Sequence, residues 1–148
     1  MEYKLEDIRV SFIGYGNVAS EMAARLIENG LPPGNITVCA EHWKALVERA
    51  EAKGVIPCRD VYEAGYYSDI VFITLKEDDV KDVLEDHLDM LSEKLVVSVT
   101  SNWTFQGYAG LFKDEAEYGI LKLDGSQLLE NNFSEKNLSK VNFILNLI

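Results

Sequence analysis

Phe12-Ile13-Gly14-Tyr15-Gly16-Asn17-Val18-Ala19 joins two stretches of different periodicity. Before it, Ile8, Val10, Phe12 and Ile13 make a short apolar run of β character; after it, Met22, Ala23, Leu26 and Ile27 recur at helical spacing. The octet therefore predicts a strand that turns directly into a helix. In that setting a GxGxxA pattern has a physical use. The first glycine permits a tight turn, the second lets the backbone approach a pyrophosphate, and a small third residue packs the new helix closely on its strand. An anion at this point meets the free amides of a helix N-terminus. Gly14, Tyr15, Gly16, Asn17 and Val18 are accordingly candidate dinucleotide-binding residues.

Outward from the octet, strands and helices alternate. A helix over 18–29 stops at Gly30, with Pro32-Pro33-Gly34 preventing its continuation. A strand over 36–40, a helix over 43–53 closed by Gly54, and a brief strand over 55–57 follow, Pro57 suiting a sheet edge. After a short helix or turn over 60–68 comes Asp69-Ile70-Val71-Phe72-Ile73-Thr74-Leu75, an unbroken apolar strand that has to be covered on both faces. Lys76 to Asp79 then opens a helix carrying Val80, Val83, Leu84, His87, Leu88 and Leu91 on one side, where His87 reads as a packing residue. Leu95 to Val99 gives a fifth strand ending in Thr100-Ser101-Asn102, and a helix is predicted over 104–112. A sixth strand over 118–123 ends at Asp124-Gly125. Leu128, Phe133, Val141, Phe143 and the residues around them give an apolar ending, expected as one or two short helices.

This order predicts an α/β fold: a single doubly wound, Rossmann-type domain with a mostly parallel sheet of about six strands. Residues 1–125 form the dinucleotide-binding domain in this reading. Residues 126–148 form a short apolar C-terminal extension, packed on the domain or on a partner. Ligands of such sheets bind at the strand carboxyl ends, near the point where strand order reverses. Gly14, Thr74-Leu75-Lys76 and Thr100-Ser101-Asn102 should then border one crevice. A carboxylate at the end of the second strand commonly takes the adenosine ribose hydroxyls, and Glu41 stands there. Glu41 would repel a ribose 2′-phosphate, which favours NAD over NADP, although His42 and Lys44 would attract one if Glu41 points elsewhere.

Bulk properties exclude other classes. The 148 residues, 47% hydrophobic and 26% charged, have the composition of a soluble globular domain, and no apolar run approaches the roughly 20 residues that span a bilayer. A formal net charge of -11 repels nucleic acid and anionic membranes. The charged N-terminus is unlike a signal peptide, so a cytoplasmic location is the expectation. Cys39 and Cys58 read as thiols, not as a disulfide, and with His42 and His87 on separate elements no metal site is expected.

Three stretches carry a resemblance to the N-terminal half of pyrroline-5-carboxylate reductase, within the wider group of 6-phosphogluconate and prephenate dehydrogenases. Phe12 to Ala19 is similar to that family's phosphate-binding turn, including an Asn after the second Gly. Thr74-Leu75-Lys76 stands where the family has a strand ending in Val-Lys-Pro, with Glu77 replacing the proline. Val96 to Asn102 is similar to a family strand followed by an Ala-Ala-Gly loop, Asn102 standing at the Gly position. The resemblance covers residues 8–112. It implies an NAD(P)-binding oxidoreductase that moves a hydride to or from a small imino or keto acid. The family's helical C-terminal domain, which builds its dimer and much of its substrate pocket, has no counterpart in this sequence. Activity would then need completion by another protomer, and the apolar end predicts a homo-oligomer. The alternatives are a non-catalytic dinucleotide-sensing or interaction module, or a scaffold with a decayed cofactor site. No catalytic residue is assigned.

Overall fold

Seven strands form one sheet in the order β3-β2-β1-β4-β5-β6-β7. They are β1 (Val10–Ile13), β2 (Ile36–Cys39), β3 (Ile56–Pro57), β4 (Ile70–Ile73), β5 (Leu95–Ser98), β6 (Glu117–Leu121) and β7 (Leu128–Asn131). The computed structural model describes residues 3–99, 103–123 and 127–148. The first six strands run parallel and β7 is antiparallel to β6. The chain moves outward from β1 to β2 and β3, then returns to place β4 on the other side of β1, so strand order reverses between β1 and β4.

Helices cover both faces because alternate strand residues point to opposite sides. On one face Val10, Phe12, Val38, Phe72 and Val97 pack beneath α1 (Asn17–Glu28), α2 (Trp43–Lys53) and α7 (Glu135–Leu145). Phe12 and Phe72, direct neighbours in the β1–β4 register, stack with ring centroids 5.0 Å apart. On the other face Ile13, Val71, Ile73 and Val96 pack beneath α3 (Val61–Tyr66), α4 (Glu77–Leu84), α5 (Leu88–Leu91) and α6 (Phe105–Phe112). Ser11 is buried among these apolar residues, and its hydroxyl pairs with that of Ser68 at 3.1 Å.

Two elements differ from the sequence expectation. The helix expected from Lys76 through Leu91 is broken: a tighter 3-10 turn at Glu85–His87 separates α4 from α5. That break brings Met90 against α3, where Gly65 leaves room for it; a β-carbon there would meet Met90 Cε at 2.8 Å. The segment after Gln127, expected as helix, opens with strand β7, which makes the sheet seven-stranded instead of about six. Only Leu128 of β7 is partly covered and the other three residues are exposed, so the strand lacks an alternating apolar face. Beyond it, Val141 and Ile144 of α7 are fully buried in the first core. Among the described residues no helix is long and apolar enough to cross a membrane.

Candidate functional site

The carboxyl ends of β1, β2 and β4 lie side by side, and the Gly14 turn is fastened to both neighbours. Its N–H donates to the Cys39 carbonyl at 2.8 Å, the Thr74 N–H donates to the Ile13 carbonyl at 2.9 Å, and the Thr74 hydroxyl donates to the Gly14 carbonyl at 2.6 Å. Gly14 has φ +92°, the left-handed region that glycine enters without strain. Thr74 thus holds the turn from below, half-buried, where the sequence placed it at the crevice.

Gly16 is needed for a different reason. Its φ is -91°, and a β-carbon built there would find no atom within 4 Å. Packing does not demand this glycine; the space above it is open. Gly16 also caps α1 without any side-chain hydrogen bond, and the first helical bond runs from Ser20 N–H to the Gly16 carbonyl at 3.0 Å. The amides of Asn17, Val18 and Ala19 therefore lack intrahelical acceptors, as at any helix start. Open space over unpaired amides fits the pyrophosphate of a dinucleotide.

Two clefts flank this turn and meet at Ala40 and Glu41. The first, about 310 Å³, lies between the start of α1 and α2 and is lined by Tyr15, Gly16, His42, Arg49 and Lys76. The second, about 470 Å³, lies between α3 and α4, with Gly14, Leu75 and Val83 in its wall. Their charges differ. Arg49 and Lys76 face Glu41 in the first cleft, whereas Asp60, Asp79, Asp82 and Asp86 join Glu41 in the second, opposed by Arg59. The Arg59 guanidinium sits 4.0 Å from the centre of the Trp43 ring. His87, expected as a packing residue, is half-buried and lines the second cleft.

Tyr15 does not block the first cleft. It is 4% exposed and lies under Arg49, whose Nη1 donates to the Tyr15 carbonyl at 2.6 Å and whose guanidinium is 5.3 Å from the ring centre. Burial pushes the Tyr15 phenol up, with Ser20 and Arg49 nearby pulling it down by less. The hydroxyl is nonetheless buried, with Ser20 nearby but in no hydrogen bond of good geometry. Cys39, behind the turn, is buried too, and burial drives its thiol up to about 12.

The structure thus brings Gly14, Tyr15, Gly16, Asn17, Glu41, Thr74, Leu75 and Lys76 to one edge of the sheet, with Val18 half-buried in the first turn of α1. Thr100, Ser101 and Asn102 lie outside the described residues. Arg49 was not anticipated from the sequence; helical spacing from Leu46 and Ala50 leaves it off the buried stripe, and its partner is 34 positions away. The acidic rim was legible in principle, since Asp79, Asp82 and Asp86 recur at helical spacing. Among the described residues no three His, Cys, Asp or Glu side chains are grouped so that they could hold a metal ion.

Comparison with known proteins gives this arrangement a family. The model of the family described as NADP oxidoreductase, coenzyme F420-dependent, matches residues 9–102, more than half of the chain, and the chain belongs to that family. A curated relative, pyrroline-5-carboxylate reductase 2 of Bacillus subtilis, is 26% identical over 100 residues, covering 66% of this chain and 36% of the relative. Among solved structures, a pyrroline-5-carboxylate reductase from Coxiella burnetii superposes with a TM-score of 0.83 at 23% identity, covering 97% of this chain and 57% of that one. The Plasmodium falciparum pyrroline carboxylate reductase with NADP bound gives 0.80 at 19% identity, covering 96% and 55%. The chain therefore spans little more than a third of the curated relative and somewhat over half of these structures. The fold is that of their N-terminal part, and NAD(P) binding is the property that family membership supports.

Proposed function

We propose that the chain binds NAD(P) across the carboxyl ends of β1, β2 and β4, as the cofactor module of an oxidoreductase acting on a small imino or keto acid. The observation that carries this reading is Gly16: a glycine whose missing side chain leaves open space over the first amides of α1. Gly14, Tyr15, Gly16, Asn17 and Val18 cradle the pyrophosphate in this reading. Leu75 and Val83 offer the adenine an apolar wall in the second cleft. Glu41 accepts from the ribose hydroxyls, and the acidic residues around it disfavour a 2′-phosphate, which supports NAD over NADP. Lys76 lines the first cleft with Gly16 and Arg49 and adds positive charge beside the phosphates.

A bound nicotinamide supplies the hydride chemistry, so the protein has to orient the cofactor and exclude water. A second protomer or a helical domain completes the substrate pocket. The exposed Leu123 and Leu129, on and beside the edge strand β7, support self-association there. The two buried free thiols fit a reducing, cytoplasmic setting.

Titration of NADH and NADPH by fluorescence or calorimetry tests the reading. Binding of either, tighter for NADH, is expected. No binding of either at millimolar concentration overturns it, and turnover of cyclic imino acids with bound cofactor would extend it to catalysis.

A further inference from the structure

Arg49 occupies an unusual position for a surface arginine. It projects from the middle of α2, 34 positions from Tyr15 with α1 and β2 in between, yet its Nη1 is bonded to the Tyr15 carbonyl at 2.6 Å. Its guanidinium also rests over the Tyr15 ring at 5.3 Å. One backbone bond uses one of five guanidinium donors. Acidic residues outnumber basic ones 25 to 14 in this chain. Yet the ion pairs among the described residues are Arg25 with Glu21 and Lys140 with Asp69, and Arg49 belongs to neither. It shares the 310 Å³ cleft with Lys76 and with the open side of Gly16. An arginine held by the Tyr15 carbonyl, in no ion pair although Glu41 lines the same cleft, and beside unpaired amides, is poised for an anion from outside.

Resting on the cofactor reading above, we propose that Arg49 is a phosphate-binding residue of this chain, which also positions the glycine turn through the Tyr15 carbonyl. Its free edge takes a phosphate oxygen of the adenosine half of the dinucleotide, with Lys76 adding charge from the opposite wall. Bond and ring contact hold the guanidinium before the ligand arrives, so little side-chain freedom is lost on binding. The same bond makes the turn's shape depend on α2, an element the glycine pattern does not include. Because Gly16 lies in the same cleft, the pyrophosphate is the favoured phosphate; the ribose 2′-phosphate offers the same chemistry.

The test is calorimetry on the full chain with adenosine, ADP and 2′,5′-ADP, for the wild type, Arg49→Gln and Arg49→Lys, at low and high ionic strength. Arg49→Gln should bind ADP about tenfold more weakly, the size expected for a lost charged hydrogen bond. Adenosine binding should be unchanged, and Arg49→Lys should recover part of the loss. Salt should weaken ADP binding to the wild type more than to Arg49→Gln, a readout that a merely structural role would not move. A loss confined to ADP assigns the pyrophosphate, and a larger loss for 2′,5′-ADP assigns the ribose phosphate; both support the proposal. Equal binding of both phosphates by wild type and Arg49→Gln overturns it, as does a parallel loss of adenosine, which would mean a collapsed turn. A wild type that binds NADH normally while Arg49 makes no difference defeats this inference alone. A wild type that binds neither NADH nor NADPH defeats the cofactor reading as well.

Discussion

The Thr74 hydroxyl donates to the Gly14 carbonyl at 2.6 Å, and the Thr74 carbonyl oxygen sits where a Gly14 β-carbon would approach to 3.0 Å. The two residues, 60 positions apart, are the first beyond β1 and the first beyond β4. Their contact closes the seam at which strand order reverses. The first turn of α1 is thereby aimed from both sides, since the Gly14 N–H is fastened to β2 through the Cys39 carbonyl.

Gly14→Ala and Gly16→Ala should therefore behave oppositely. At Gly14 the added methyl is forced into a left-handed backbone conformation and against the Thr74 backbone, neither of which can give way cheaply. A loss of about 1–3 kcal/mol of stability is expected, read as a lower urea midpoint at unchanged slope. At Gly16 the backbone is ordinary and the space open, so stability should change by less than about 1 kcal/mol. Dinucleotide affinity should nevertheless fall about tenfold as the phosphates are pushed off the α1 amides. Equal stability losses in the two variants would contradict the division of labour drawn here.

That division was only partly legible in the sequence. The GxGxxA spacing marked both glycines, yet one serves the turn and the other leaves space, a difference that depends on Thr74 lying beneath the first. Strands β1 to β6 were readable because each is an apolar run closed by a turn or helix signal. Strand β7 was not, because it buries little and sits at an edge, so nothing in Leu128-Leu129 separates it from a helix. The break between α4 and α5 accompanies the packing of Met90 at Gly65, a contact that spacing within either segment does not encode. The Arg49–Tyr15 bond was invisible for the same reason: local periodicity says which residues avoid the core, and not what they reach.

Glu41 lines both clefts, so its charge should set the preference between NADH and NADPH. Replacing it with serine removes the acceptor for ribose hydroxyls and the repulsion of a 2′-phosphate together. An ion pair's worth of repulsion at close range in water is about 1 kcal/mol. Glu41→Ser should therefore shift the ratio of NADPH to NADH affinity toward NADPH by about fivefold to tenfold, measured by parallel titrations. An unchanged ratio would place the ribose away from the end of β2.

Glu117 fastens the C-terminal helix to the sheet. Its Oε1 accepts from the Ser134 N–H at 2.5 Å and its Oε2 from the Asn137 side chain at 2.7 Å, while the Ser134 hydroxyl caps the same helix by accepting from the Asn137 N–H at 3.2 Å. Glu117→Ala should cost about 1–2 kcal/mol and speed hydrogen exchange across α7 more than across β1 or β4. Because α7 covers Val10 and Phe12 with Val141 and Ile144, its loosening exposes apolar surface. Greater self-association by light scattering should accompany the faster exchange, and uniform exchange across the chain would argue against a separately loosened α7.

The two cysteines give the fold an alkaline limit. Burial pushes Cys39 up to about 12 and, with Glu63 and Asp60 adding to it, Cys58 up to about 11, both from an ordinary value of 9.0. Below pH 9 the thiols are protonated in folded and unfolded chains alike, so their contribution to stability is fully present. Between pH 9 and about 12 the unfolded chain releases protons that the folded chain retains, and linkage then favours unfolding as pH rises. The urea midpoint should decline across that window, and a Cys39→Ala, Cys58→Ala double variant should decline less steeply even if its stability at neutral pH is lower. Tyrosines and lysines titrate there as well, so the difference between the two pH profiles is the quantity to read. Parallel profiles would mean that the thiols ionise as freely in the folded protein as in the unfolded one. Slow modification of both thiols by an alkylating reagent at neutral pH, becoming fast in urea, is the companion result expected from the same burial.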